Sequence, residues 1–276
     1  MSGLTVTRAL AEAKAQGVDR LDAQLLLARA LVCNRSWLLA HDDATLAAHQ
    51  SSGFRADVLR RSQGEPLAYL LGEKEFHGLM LQVSPSVLVP RPETETLVDW
   101  GLELLSGALA EVPEPRVLDL GTGSGAIALA LKDARPEARV SALDVSPDAL
   151  VVAEANARRL GLVIEFRRSH WWRGLGGRRF HLALSNPPYV DPDDPHLVAL
   201  QHEPRIALAC GGAGLDALTA IVADAADHLE PGGWLVLEHG HDQASAVQTL
   251  LRRSGFLQPQ TRPDLAGQPR CTGAHI

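Results

Sequence analysis

Residues 116–134 read RVLDLGTGSGAIALALKDA. The first five form a short run that is apolar after its leading Arg116, apart from one acid, Asp119. The last nine are dominated by Ala and Leu, which favour helix. Between them Gly121, Gly123 and Gly125 alternate with Thr122 and Ser124. Glycine enters backbone conformations closed to other residues and lets the main chain approach a ligand. A buried strand, a tight glycine turn and a helix, in that order, open a strand–helix–strand unit. The pattern predicts a parallel sheet with a ligand seated at its carboxyl edge.

The chain continues as that reading requires. RVSALD (139–144) is a second strand. SPDALVVAEANARRLG is a helix with Ser146 as N-cap, Pro147 in its first turn and Gly161 at its end. LVIEFRR and FHLALS are further strands, GLDALTAIVADAADHLEPGG another helix and WLVLEHG a central strand. Short apolar strands alternating with helices imply an α/β fold, a parallel sheet covered on both faces. Upstream, residues 1–71 read as a smaller helical domain. TRALAEAKAQG closes on Gly17, and DRLDAQLLLARALV sets Leu21, Leu25, Leu26 and Leu31 at helical spacing as its buried face. Residues 72–92 read as a β-hairpin turning at Gly78 and a proline-rich linker. Residues 93–276 form the sheet domain, which opens with a helix from Glu93 to near Ser106.

The chain has 276 residues, 46% of them hydrophobic, enough for at least one sizeable core. Its net charge of -7 argues against a broad electrostatic grip on nucleic acid. Cys33, Cys210 and Cys271 are scattered, without the spacing of a zinc site, and suit a reducing compartment. No secretion signal or membrane-spanning run is visible. A cytoplasmic monomer without a metal, and without a membrane or nucleic-acid partner, is expected.

Asp144 ends the strand after the glycine turn, where an acid can hydrogen-bond a ribose diol. Asp119 stands ahead of the glycines in a DxGxGxG spacing, unlike the GxGxxG of dinucleotide sites. A carboxylate there suits a cationic ligand, which favours S-adenosylmethionine over NAD. SNPPY (185–189) follows the fourth strand of the sheet. The Asn186 side-chain carbonyl and the Pro187 backbone carbonyl can both accept from one planar NH2 group. Pro187 and Pro188 stiffen the turn and have no N–H to compete. Tyr189 can stack on the plane of the group so held. Glu238, His239 and His241 in LEHGH lack metal-ligand spacing and read as a strand end, while RPETE (91–95) reads as a helix cap near the cofactor side.

With RRSQGEPLAYLLGEKEF, VLVPRPETE, HEPRIAL and LEHG, these motifs make nearly the whole chain resemble the release-factor glutamine methyltransferases, a class I, S-adenosylmethionine-dependent family. The resemblance implies a Rossmann-like sheet and methylation of N5 of the glutamine in the GGQ motif of peptide-chain release factors. It implies that Gly121, Thr122, Gly123, Ser124 and Gly125 line the cofactor loop, that Asp144 takes the ribose and that Trp171 lies beside the adenine. Asn186, next to the cofactor, would act with Pro187, Pro188 and Tyr189 on the substrate amide, and residues 1–71 would dock the release factor. His170 stands where the family often has an acid. Three rivals share parts of the pattern: a nucleic-acid adenine N6-methyltransferase, a non-catalytic binding protein on the same fold and an NAD-dependent dehydrogenase.

Overall fold

The computed structural model describes residues 4–276, and the chain divides into two compact units, one running through Glu73 and the other spanning Lys74–Ile276. The first holds helices α1 (Val6–Ala15), α2 (Arg20–Leu31), α3 (Arg35–Ala40), α4 (Ala48–Ser62) and α5 (Leu67–Leu71). Thr5, Asp19 and Asn34 cap the first three by accepting from backbone N–H groups of Arg8, Leu21 and Trp37. Each such cap is worth about 1 kcal/mol. Leu26, Leu27, Phe54 and Val58 form the centre of this unit's core. The inward face of α2 differs from the expected one. Ala23, Leu26, Leu27 and Ala28 are buried, whereas Leu21 is exposed and Leu25 and Leu31 are half-buried. The LLLARAL run offers more than one apolar stripe, and the small Ala23 and Ala28 favour close packing on theirs. Gln24, also buried, accepts from the Arg35 guanidinium.

The second unit begins with a hairpin of β1 (Glu73–Phe76) and β2 (Leu79–Gln82). His77 and Gly78 between them have φ of 49° and 78°, the left-handed pair that a tight two-residue hairpin turn needs. Next come α6 (Glu95–Ser106), β3 (Arg116–Leu120), α7 (Ala126–Ala134), β4 (Arg139–Asp144), α8 (Pro147–Leu160), β5 (Glu165–Arg168) and β6 (Phe180–Ser185). The chain then passes through two four-residue turns, α9 (Arg205–Leu208) and α10 (Gly211–Gly214), into α11 (Asp216–Ala225), β7 (Leu229–Glu238), α12 (Ala244–Arg253), β8 (Leu257–Pro263) and β9 (Pro269–His275). The strand order is β5-β4-β3-β6-β7-β9-β8. The first five strands are parallel, and β9 runs antiparallel to both neighbours.

Two expectations are corrected here. The sheet is not wholly parallel, because β8 and β9 follow one another without a crossover helix. The helix expected to reach Gly233 stops by His228, and Leu229 already begins β7. Pro231 has no N–H for a helix and Gly232 has φ 76°, so LEPGG cannot continue the helical ladder.

Helices cover both faces of the sheet. Leu97, Trp100, Ile127 and Leu131 pack on one face, and Leu218, Ile221, Val247 and Leu251 on the other. The strand ends are level. Leu120 pairs with Leu143 on one side and with Ser185 on the other, and Ser185 Oγ donates to the Leu120 carbonyl at 2.6 Å. The glycine turn folds over the end of β4, as the N–H groups of Gly121 and Thr122 both donate to the Leu143 carbonyl. At Gly125, φ is 86°, and a Cβ would lie 2.9 Å from Leu129 Cδ1 and 3.3 Å from Ala153 Cβ. A side chain there would prise α7 from α8.

Asp119 is not a surface for a cation. It is fully buried, and its Oδ2 accepts from Thr122 Oγ1 at 2.6 Å and from the Ala128 N–H at 3.2 Å. It braces the glycine turn against the first turn of α7, where a carboxylate also meets the positive end of the helix dipole. Burial pushes its pKa up to about 7, against the pull of those two donors. Asn156 is a second brace. Fully buried on α8, it accepts from the Gln82 N–H and donates to the carbonyls of Gln82 and Ser124, tying the hairpin to the glycine turn.

Asn156→Ala strands three backbone groups, and an unsatisfied buried group costs about 1–3 kcal/mol. Its urea midpoint is expected to drop by at least that of one such loss, and an unchanged midpoint would show the brace to be idle. The raised pKa of Asp119 stabilises the fold at low pH. The contribution is complete below the ordinary carboxyl range and lost as pH rises through about 7. Urea midpoints measured from pH 5 to 8 should therefore fall less steeply in Asp119→Asn than in the unsubstituted protein.

Candidate functional site

A cavity of about 500 Å³ opens at the carboxyl ends of the parallel strands. Of the residues singled out in the sequence, Gly121, Thr122, Gly123, Ser124, Asp144, Trp171, Asn186 and Pro188 line it. Gly125, Pro187 and Tyr189 do not, although each adjoins a lining residue or lies one residue beyond it. Every residue of the cavity wall belongs to the second unit.

On one side the wall is backbone and carboxylate. Asp144 Oδ2 accepts from the Gly123 N–H and Oδ1 from the Ser146 N–H, both at 2.9 Å. Each oxygen keeps lone-pair capacity, so the carboxylate can also accept from two hydroxyls of one diol. Burial raises its pKa, while the N–H groups of Ser146, Gly123 and Val145 oppose the shift. Gly123 has φ 55°, and a Cβ there would meet nothing within 4 Å. The turn thus leaves open room beside the carboxylate. Trp171 closes this side. Its ring lies 3.4 Å from where a Gly121 Cβ would stand, and its own φ of 50° is left-handed. A bulky residue held in that region stores strain of order 1–3 kcal/mol, which folds tolerate chiefly where the side chain must be aimed. The preceding Ser169 is tied to Asp144 through its N–H, and His170 also lines the wall.

On the other side stands the turn after β6. Asn186 Nδ2 donates to Thr94 Oγ1 at 3.0 Å. The Pro188 carbonyl accepts from Cys210 Sγ, and the Tyr189 carbonyl from Gln243 Nε2, each at 3.0 Å. The Tyr189 hydroxyl donates to Glu238 Oε1 at 3.2 Å, and its ring packs against the second-face core. Burial, and after it the Glu238 charge, push the Tyr189 pKa up, so the phenol keeps its proton. Among the described residues, no donor reaches Asn186 Oδ1 or the Pro187 carbonyl.

Two contributors were not read as such from the sequence. Thr94, taken only as part of a helix cap, lines the cavity and holds Asn186. Glu238, taken as a strand end, is buried behind the turn because Leu237 pairs with Ser185. Its burial raises its pKa to about 7, with the Thr94 hydroxyl, Arg270 and Tyr189 opposing. The outer wall is fastened by Glu203, also buried, which accepts from the Val89 N–H and pairs with Arg91. Only proximity in the fold reveals these links. The one sequence hint is Glu238, a carboxylate directly after the apolar run WLVL.

The chain matches two family models, the PrmC N-terminal domain over residues 5–72 and the methyltransferase small domain over residues 94–259. It is 49% identical to the release factor glutamine methyltransferase of Xylella fastidiosa strain Temecula1, with 96% of each chain covered. It is 46% identical to those of Burkholderia pseudomallei and Pseudomonas aeruginosa, covering 94% and 91% of their lengths and 95% and 92% of its own. Among solved structures it resembles a methyltransferase from Pyrococcus furiosus, with TM-score 0.54, 19% identity and coverage of 81% of this chain and 98% of that one. It also resembles a 16S rRNA methyltransferase of T. thermophilus, solved with AdoMet and guanosine, with TM-score 0.56, 21% identity and coverage of 74% and 49%. The structures speak for the fold alone. The identity and coverage of the curated relatives carry the rest: this chain belongs to the release factor glutamine methyltransferase family.

Proposed function

We propose that this protein transfers a methyl group from S-adenosylmethionine to N5 of the glutamine in the GGQ motif of peptide-chain release factors. One observation carries the reading. The polar side chains and the last two carbonyls of residues 186–189 are engaged by the protein, while Asn186 Oδ1 and the Pro187 carbonyl are left as acceptors. A primary amide has two N–H groups to give to two acceptors. An adenine amine also has two, but the relatives similar over nearly the whole chain are named for the protein glutamine.

The cofactor side fits S-adenosylmethionine. Asp144 would take the ribose diol and Trp171 would lie beside the adenine, with the open space at Gly123 left for the rest of the ligand. Gly121, Thr122 and Ser124 complete that wall, and Gly125 shapes it from behind. When bound, the cofactor supplies an electrophilic methyl on its sulfonium. The residues of the chain do the rest by alignment. An amide nitrogen is a poor nucleophile because its lone pair is shared with its carbonyl. Two fixed acceptors hold the NH2 with one face toward the cofactor side and stabilise positive charge growing on nitrogen. The rigid prolines keep those acceptors in place without ordering cost at the moment of reaction. Tyr189, fastened by its hydroxyl, supports the turn and limits where the amide plane can lie.

The helical unit, residues 1–71, is proposed to dock the release factor, 72–92 to link and 93–276 to carry the transfer. The cavity supports this division, since no described residue before Phe76 lines it. No helix of the described residues is long and apolar enough to cross a membrane. The proposed setting is the cytoplasm, with a protein rather than nucleic acid as partner.

Two substitutions test the assignment. Asn186→Ala is expected to lower methylation of an intact release factor by about 100-fold or more, because misalignment alone costs that much, while the thermal midpoint changes little. Turnover equal to the unsubstituted enzyme would overturn the amide clamp. Asp144→Ala is expected to weaken S-adenosylmethionine binding by about 1.5–3 kcal/mol, the range for hydrogen bonds to a charged group. Calorimetry is the check, and unchanged affinity would remove the ribose role.

A further inference from the structure

Tyr189 is held at both of its ends by one short stretch of chain, residues 238–243. Glu238 Oε1 accepts from its hydroxyl at 3.2 Å, and Gln243 Nε2 donates to its carbonyl at 3.0 Å. The first bond fixes the ring. The second fixes the main chain that carries the ring, and its importance follows from the torsions of the turn.

A proline ring locks its own φ, and a residue that precedes a proline is confined to extended ψ. Across Asn186, Pro187 and Pro188 these two rules cover every φ and ψ from Asn186 ψ to Pro188 φ. The next torsion, Pro188 ψ, falls under neither, because Tyr189 follows it. Rotation there would swing Tyr189 relative to Asn186 Oδ1 and the Pro187 carbonyl. The prolines thus stiffen the clamp but leave one joint loose, between the two acceptors and the aromatic residue beside them. Two side chains hold the chain at that joint. Cys210 Sγ donates to the Pro188 carbonyl at 3.0 Å, and Gln243 holds the Tyr189 carbonyl. A thiol is a weak donor, which leaves the larger share to the Gln243 amide.

Gln243 is itself built into place. Its Oε1 accepts from the Gly240 N–H and its own backbone N–H donates to the Gly240 carbonyl, both at 2.9 Å. A backbone N–H cannot accept and a carbonyl cannot donate. The side chain therefore has one amide orientation only, with oxygen to Gly240 and NH2 to Tyr189. The same Nε2 reaches the Ala213 and Gly214 carbonyls at 3.4 and 3.5 Å, which are acceptors as well. Gly214 makes room for the bond. Its φ is 78°, and a Cβ there would stand 2.1 Å from the Tyr189 oxygen and 2.8 Å from Gln243 Nε2. The turn after β6, the turn before α11 and the loop after β7 all meet at this one amide.

We infer that Gln243 is a positioning residue for methyl transfer: by holding the Tyr189 carbonyl it closes the loose joint of the turn and sets Tyr189 against the two amide acceptors. The inference rests on the amide-clamp reading above. It gives a part in substrate alignment to a residue that does not itself line the cavity.

The test removes the donor in two ways. Gln243→Glu keeps the shape and the bond from Gly240 but puts an oxygen where the NH2 was. Gln243→Met keeps the length with neither donor nor charge. Methyl transfer from labelled S-adenosylmethionine to an intact release factor gives kcat and KM, and calorimetry gives cofactor affinity. Both variants are expected to lose kcat by about 10- to 100-fold, as lost orientation does, with KM for the factor and cofactor affinity unchanged within about twofold. A residue that merely supports the fold would not split these quantities, since a loosened cavity would weaken the cofactor too. Full kcat in Gln243→Met overturns the inference, even beside a slow Gln243→Glu, because the defect would then belong to the added charge. A cofactor affinity that falls along with kcat overturns it as well. If one variant does not fold, the other decides. The clamp and its support fail separately. Full activity in Asn186→Ala sinks the clamp, whereas an inactive Asn186→Ala beside a fully active Gln243→Met sinks only the positioning role.

Discussion

The site depends on one short hydrogen bond, from Ser185 Oγ to the Leu120 carbonyl at 2.6 Å. Leu120 is the last residue before the glycine turn and Ser185 the last before Asn186. The bond is buried, where a hydroxyl–carbonyl pair has no water to compete for it. It closes the β3–β6 ladder at its carboxyl end, so two motifs far apart in sequence emerge side by side. A slip of one residue in that register would turn Asn186 to the opposite face of the sheet. The same levelling extends outward. Leu143 lies opposite Leu120, so Asp144 emerges on one flank, and Leu237 lies opposite Ser185, so Glu238 emerges on the other. Four consecutive strand ends thus deliver a carboxylate, a glycine turn, an amide and a second carboxylate in a row.

Local pattern was enough for whatever is decided locally. RVLDLGTGSG announces a strand and a turn through residues that touch each other in sequence, and Ser146, Pro147 and Gly161 bound α8 as their cap chemistry requires. The limits appear where a residue's partner is distant. Asp119 reads as a ligand-facing acid until the fold shows that the first turn of α7 captures it. Thr94 reads as a cap until Asn186 arrives beside it, 92 residues along the chain. The face of α2 was misjudged for another reason. Leucine periodicity alone could not choose among stripes on a helix apolar on more than one side, and packing on α1 and α4 made the choice. β8 does not show in the sequence because LQPQTRP has little of the hydrophobic alternation that marks a strand.

The two sides of the cavity are built by different means. Around the cofactor side, the protein uses backbone. Its N–H groups at Gly121, Thr122 and Gly123 are fixed on β4 and Asp144, and left-handed dihedrals at the turn and at Trp171 set the shape. Backbone placed by a sheet has few other conformations to visit. Around Asn186 the protein uses side chains, each with more than one possible hydrogen-bonding role, and roles must be assigned as well as positions. That is where the buried acid Glu238 matters.

A buried carboxylate is an expensive way to hold a tyrosine, since burial raises its pKa to about 7 even against the pull of the groups around it. A neutral acceptor would cost less, but it would not impose direction in the same way. A side-chain amide can reverse, and a hydroxyl can donate or accept. In its ionised form the carboxylate can only accept, so the Tyr189 hydroxyl must donate to it. Arg270, paired with Asp264 and close to Glu238, favours that ionised form. Glu238 holds the Tyr189 hydroxyl, and with it the turn that carries Asn186. In the proposed clamp a substrate amide nitrogen must meet oxygen, not another nitrogen, and the Asn186 NH2 is already turned to Thr94, which leaves its oxygen free.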